Sequence, residues 1–87
     1  MSKEELDEVE YFAAQLYSVS KLATILGLDR DQLQVDILAG KTAVAQAIIR
    51  GRTSRETAIR ESILDSAVNG SSPAQNAAIQ MLKELDQ

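Results

Sequence analysis

An all-helical fold follows from three features of the sequence. No segment alternates apolar and polar residues with the two-residue period of a strand. Apolar residues instead recur three and four positions apart, as in Leu6, Val9, Phe12 and Ala13. Gly27, Gly40 and Gly70 interrupt that pattern where helices must end.

The elements can be justified in order. Ser2 and Glu5 fit a capping box, and the acids of the first turn suit the positive end of a helix dipole. A first helix is therefore expected over 3–17, with Leu6, Val9, Phe12, Ala13, Leu16 and Tyr17 on its inner face. A second helix is expected over 19–26, capped by Ser18 or Ser20 and buried through Leu22, Ala23, Ile25 and Leu26. Gly27 makes the turn, and Asp29 caps a third helix over 30–39 whose inner face is Leu33 and Ile37.

From Thr42 the helical pattern resumes and reaches Asn69. Val44, Ala47, Ile48 and Gly51 form one apolar row, and Ile59, Ile63, Leu64, Ala67 and Val68 form a second, nearly in phase. The stretch between them, RGRTSRE, has little to bury. One long helix is the favoured reading, and a break at Gly51 with a new start boxed by Thr53 and Glu56 is the alternative. Gly51 would cost about 1 kcal/mol relative to alanine inside such a helix, so it marks a close helix contact or a kink. At NGSSP, Gly70 suits a left-handed cap, Ser72 an N-cap and Pro73 the first helical position. The final helix, 73–85, is expected to fold back as an antiparallel helical hairpin. The organisation is then a helix-turn-helix-like unit over 1–40 and a helical hairpin over 41–87.

Composition limits what this fold can do. One Phe, two Tyr and no Trp make a lean core for 87 residues. Without Cys or His, neither disulfides nor the usual metal ligands can reinforce it, and self-association is the remaining common route. The same absences remove an imidazole base, a thiolate and a zinc site, so no enzyme and no cofactor are expected. No apolar run approaches the roughly 20 residues that span a bilayer. The acidic N-terminus lacks the apolar stretch of a signal peptide, and a cytoplasmic location is expected.

The stretch SVSKLATILGLDRDQL has the marks of a helix-turn-helix. Ala23 supplies the small residue where two helices cross, Gly27 the turn, and Leu22, Leu26, Leu28 and Leu33 the lock. Asp36 departs from this pattern, standing where an apolar anchor is common, so Ile37 must serve. An ordinary helical corner would use the same residue types. If the third helix faces DNA, Gln32 and Gln34 can bond adenine edges and Arg30 can reach a phosphate or a guanine, with Lys21 beside them. Asp31 and Asp36 would be repelled by phosphate, which makes each copy a weak binder that needs multivalency.

Charge is polarised along the chain. The net charge is −4, with acids at Glu4, Glu5, Asp7, Glu8 and Glu10 and bases at Lys41, Arg50, Arg52, Arg55 and Arg60. Arg50 and Arg52 head a basic stripe with three readings: a solvated helix face, a surface for the acids of a neighbouring copy, or a surface for DNA.

The segment AIIRGRTSRETAIRESILDSAVNGSSPAQNAAIQMLKEL, placed after a helix-turn-helix, resembles the small terminase subunits of tailed bacteriophages. The resemblance covers about 18–85 and lies in the Arg50-Gly51-Arg52 step, Arg60, Ala67 and Gly70 at the helix end, and Leu82-Lys83 in the returning helix. It implies a non-enzymatic genome-packaging adaptor that forms a ring-like homo-oligomer. Such an adaptor binds double-stranded DNA and delivers it to the large terminase subunit, an ATPase and nuclease, in the host cytoplasm. Val44, Ile48, Ile59, Ile63, Leu64, Met81 and Leu82 would then pack the hairpin and its ring neighbours. Two alternatives stand beside it: a dimeric helix-turn-helix transcription regulator, and a DNA-free helical interaction module.

Overall fold

The computed structural model describes residues 1–85, which form five helices and, among the described residues, no strand: α1 (Lys3–Ala14), α2 (Val19–Leu26), α3 (Arg30–Ala39), α4 (Ala43–Val68) and α5 (Ser72–Glu84). Positions 86 and 87 of the expected hairpin region lie outside the described residues. The protein is all-α. None of these helices is long and apolar enough to cross a membrane.

Side-chain caps set most of the boundaries. Ser2 Oγ accepts from Glu5 N at 3.2 Å while Ser2 N donates to Glu5 Oε1 at 3.1 Å, completing the capping box. Ser18 Oγ accepts from Lys21 N and opens α2, and Asp29 Oδ1 accepts from Asp31 N and opens α3. Thr42 Oγ1 accepts from Ala45 N at the start of α4. Gly27 and Gly40 take left-handed φ of 68° and 66° to close α2 and α3.

Two boundaries differ from expectation. α1 stops at Ala14 rather than Tyr17: Gln15 N and Leu16 N bond back only three residues, to Phe12 O and Ala13 O. Leu16 then takes a φ of 62°, unusual for a side chain with a γ-branch. The early reversal frees Ser18 to cap α2. It also carries Leu16 and Tyr17 off the inner face, where they are exposed. At the other end, Ser71 rather than Ser72 is the N-cap of α5, accepting from Ala74 N, so Pro73 falls in the first turn one position later than expected.

α4 is a single helix through Gly51. The chain nevertheless divides into two compact units, Met1–Arg55 and Glu56–Gln87, so the first half of α4 packs with α1–α3 instead of parting from them at residues 40–41.

The first unit holds the core. Val9 and Ala13 of α1, Leu22 and Ala23 of α2, Leu33 of α3, and Ala47 and Ile48 of α4 are buried together. Leu6, Phe12, Val19, Leu26, Ile37 and Val44 pack around them. Ile37 thus joins the packing that Asp36 cannot. Fully burying a side chain such as Leu22 or Ile48 contributes about 1.5–3 kcal/mol.

The second unit is organised differently. α5 is tied to α4 by Gln75 Nε2 donating to Ala67 O at 3.2 Å and by Arg60 Nη2 pairing with Glu84 at 3.3 Å. No residue of the described part of this unit is buried.

Candidate functional site

The residues expected to meet DNA lie in the first unit, and α3 distributes them over different sides. At 100° per residue, Gln32 and Gln34 are about 200° apart, so they cannot read one groove edge together. Arg30 and Gln34 share one flank of α3, and Gln32 lies on the other. Arg30 is turned toward α2, where its Nε donates to Ser20 Oγ at 3.1 Å and its Nη1 pairs with Asp31 at 3.1 Å. Lys21 follows Ser20 and is exposed. Gln32 Nε2 donates to Asp36 Oδ1 at 2.9 Å. The geometry therefore brings Arg30 next to the first turn of α2 and separates Gln32 from it.

The basic stripe of α4 is engaged along α1. Arg50 Nε pairs with Glu10 Oε1 at 2.7 Å. Arg55 Nε donates to Ala14 O at 2.8 Å, and Arg52 Nη2 donates to Tyr17 O at 3.1 Å. The last turn of α1 contains no basic side chain of its own. Arg55 supplies from α4 a cation at the carbonyl end of the α1 dipole, and Arg52 does so for the connection that follows. One reading of the stripe had it meet acids of a neighbouring copy; Arg50 meets Glu10 of its own chain. Of these three contacts only Arg50–Glu10 joins opposite charges. Its register was not readable, because it depends on how α1 crosses α4 at Gly51.

The expected association residues separate by unit. Ile48 is fully buried in the core of the first unit, and Val44 packs against that core, so Ile48 offers nothing to another copy. This corrects its assignment as an association residue: the apolar row that looked free in the sequence is covered by α1, α2 and α3. In the second unit, Ile63 and Met81 are half-buried, whereas Ile59 (43%), Leu64 (45%) and Leu82 (63%) are exposed. Leu64, Ala78, Met81, Leu82 and Leu85 line an open apolar groove of about 330 Å³ with Arg60 at its edge. Arg60 also pairs with Glu56 at 3.0 Å, and the two carboxylates hold its guanidinium in the charged form, Glu56 more strongly than Glu84.

No protein-family model, curated protein or solved structure matches the chain.

Sequence reasoning missed Leu38 on the outward face of α3. Val35 is 59% and Leu38 78% exposed, and Leu28 is also exposed just before the helix. The helical period would have exposed Leu38, because it lies about 140° from Leu33 and about 100° from Ile37.

Proposed function

We propose that this protein is a non-enzymatic adaptor of the small-terminase type. Its second unit gathers copies of the chain into a homo-oligomer, and its α2–α3 helix-turn-helix presents many weak DNA contacts. The α4–α5 hairpin is the assembly element. The observation that carries this reading is the lack of any buried residue in the described part of the second unit, alongside exposed Ile59, Leu64, Val68, Ile79, Leu82 and Leu85. Solvent-exposed apolar side chains at that density favour burial against another chain.

In this reading Lys21, Arg30 and Gln34 form the DNA-facing flank. Affinity from one copy is low because Asp31 neutralises Arg30 and because the stripe arginines serve α1. Multiple heads on one assembly restore useful binding without a new contact. The large terminase subunit would then take the DNA from the assembly.

The test is duplex-DNA binding by the wild-type chain and by a Leu64→Glu, Leu82→Glu variant. Both positions are exposed, so the variant should fold while losing association. Salt-sensitive binding by the wild type that collapses in the variant supports the adaptor. Equal binding by both would sink it.

A DNA-free interaction module is the second reading. It is favoured by the engagement of Arg50, Arg52 and Gln32 within the chain. Its mark is no DNA binding at low salt together with a stoichiometric protein partner.

A further inference from the structure

We propose that the outward face of α3 is a docking surface for a basic amphipathic helix of another protein. Asp31, Val35 and Leu38 fall within about 60° of one another around the α3 axis, opposite the buried Leu33. Val35 and Leu38 are apolar and exposed, as is Leu28 just before the helix, and Asp31 is the charged member, paired with Arg30 while its side chain stays 87% exposed.

Beside this stripe lies a hollow of about 270 Å³ between α3 and the start of α4. Leu28, Leu33 and Val44 give it apolar walls, and Asp29 and Asp36 place carboxylates on it. Segment 28–40 carries three acids, Asp29, Asp31 and Asp36, against the one base Arg30. Arg30 pairs with Asp31 and is bonded to Ser20, which leaves Asp29 and Asp36 as the acids without a cationic partner on this segment. An apolar ridge and an adjoining apolar hollow, both edged by carboxylates, complement a helix whose leucine stripe is bordered by lysine or arginine. The same charge disfavours phosphate on this face. The partner is therefore a protein helix and not nucleic acid, and it is not another copy of this acidic chain's α1. The inference goes beyond the adaptor reading and does not depend on assembly.

The probe is a labelled peptide of about 18 residues with leucines at i, i+3, i+4 and i+7 and lysines elsewhere, titrated into the full chain by fluorescence anisotropy. Saturable binding should weaken about tenfold between low and high salt. Val35→Ser and Leu38→Ser should each weaken it about fivefold or more, and Asp31→Asn should reduce its salt dependence. Leu64→Glu should leave it unchanged. These α3 positions are exposed, so the variants should retain the wild-type circular dichroism spectrum. The proposal is overturned if the α3 variants bind as the wild type does, or if a peptide with glutamate for lysine binds equally well. Binding of labelled duplex DNA that Val35→Ser and Leu38→Ser weaken as much as they weaken the peptide would likewise overturn it and return this face to nucleic acid.

Discussion

Gly51 of α4 rests against the main chain of Glu10 in α1. A Cβ at position 51 would run into the Glu10 carbonyl oxygen and come within 3.0 Å of Ala13 Cβ and 3.1 Å of Ala14 N. The glycine that looks like a weak point in a long helix is thus what allows α1 and α4 to approach. Arg50–Glu10 and Arg55–Ala14 form on either side of that contact.

Gly51→Ala should therefore destabilise, against the usual direction. In an exposed helix interior the change stabilises by about 1 kcal/mol. Here the added methyl meets backbone, which cannot rotate away, and a loss of about 3 kcal/mol is expected. Urea unfolding followed by circular dichroism measures it; a gain in stability would mean that α1 and α4 do not touch at this point.

Ile48 and Leu82 should respond to truncation in different ways. Ile48→Ala opens a cavity in the first unit and should cost about 2–5 kcal/mol at any protein concentration. Leu82→Ala removes an exposed side chain and should alter association while leaving the unfolding of the first unit unchanged. Unfolding curves at two concentrations differing tenfold separate the effects. A concentration-dependent loss for Ile48→Ala would contradict its place in the core.

Leu16 should prefer glycine to alanine. Its φ of 62° costs about 1–2 kcal/mol for a residue with a Cβ. Leu16→Gly and Leu16→Ala both discard the exposed side chain, so their difference isolates the backbone. The glycine variant is expected to be the more stable of the two by about 1 kcal/mol. Thermal melts showing the reverse order would place Leu16 in ordinary helical backbone.

Glu5 ties stability to pH at the start of α1. Hydrogen bonds from the Ser2 backbone N–H and then the Ser2 hydroxyl hold its carboxyl below the ordinary glutamate value. A carboxylate with a lowered folded-state value contributes stability above its unfolded value and loses it as pH falls through the folded one. Stability should decline on acidification through the carboxylate range, and Glu5→Gln should flatten part of that decline. Identical pH profiles for wild type and Glu5→Gln would show that the box contributes nothing through charge.

Much of the fold was legible because caps and glycines are local signals. Ser2 with Glu5, Asp29, Gly27 and Gly40 act over four residues or fewer, and the structure follows them. Leu16 was not legible, since nothing in its neighbourhood announces a left-handed leucine. The roles of Arg50, Arg52 and Arg55 were hidden for another reason. They depend on the close approach of α1 to Gly51, a contact between positions about 40 apart. Ile48 was misplaced because an apolar row on a helix does not say whether its cover comes from the same chain. In the second unit Leu64 and Leu82 are exposed.

The most direct measurement is the native mass of the full chain by sedimentation equilibrium from micromolar to millimolar concentration. The account rests on sister chains covering the apolar flank of residues 56–85, and it predicts a closed assembly of several copies that Leu64→Glu with Leu82→Glu breaks down. A single-chain mass throughout that range would contradict it.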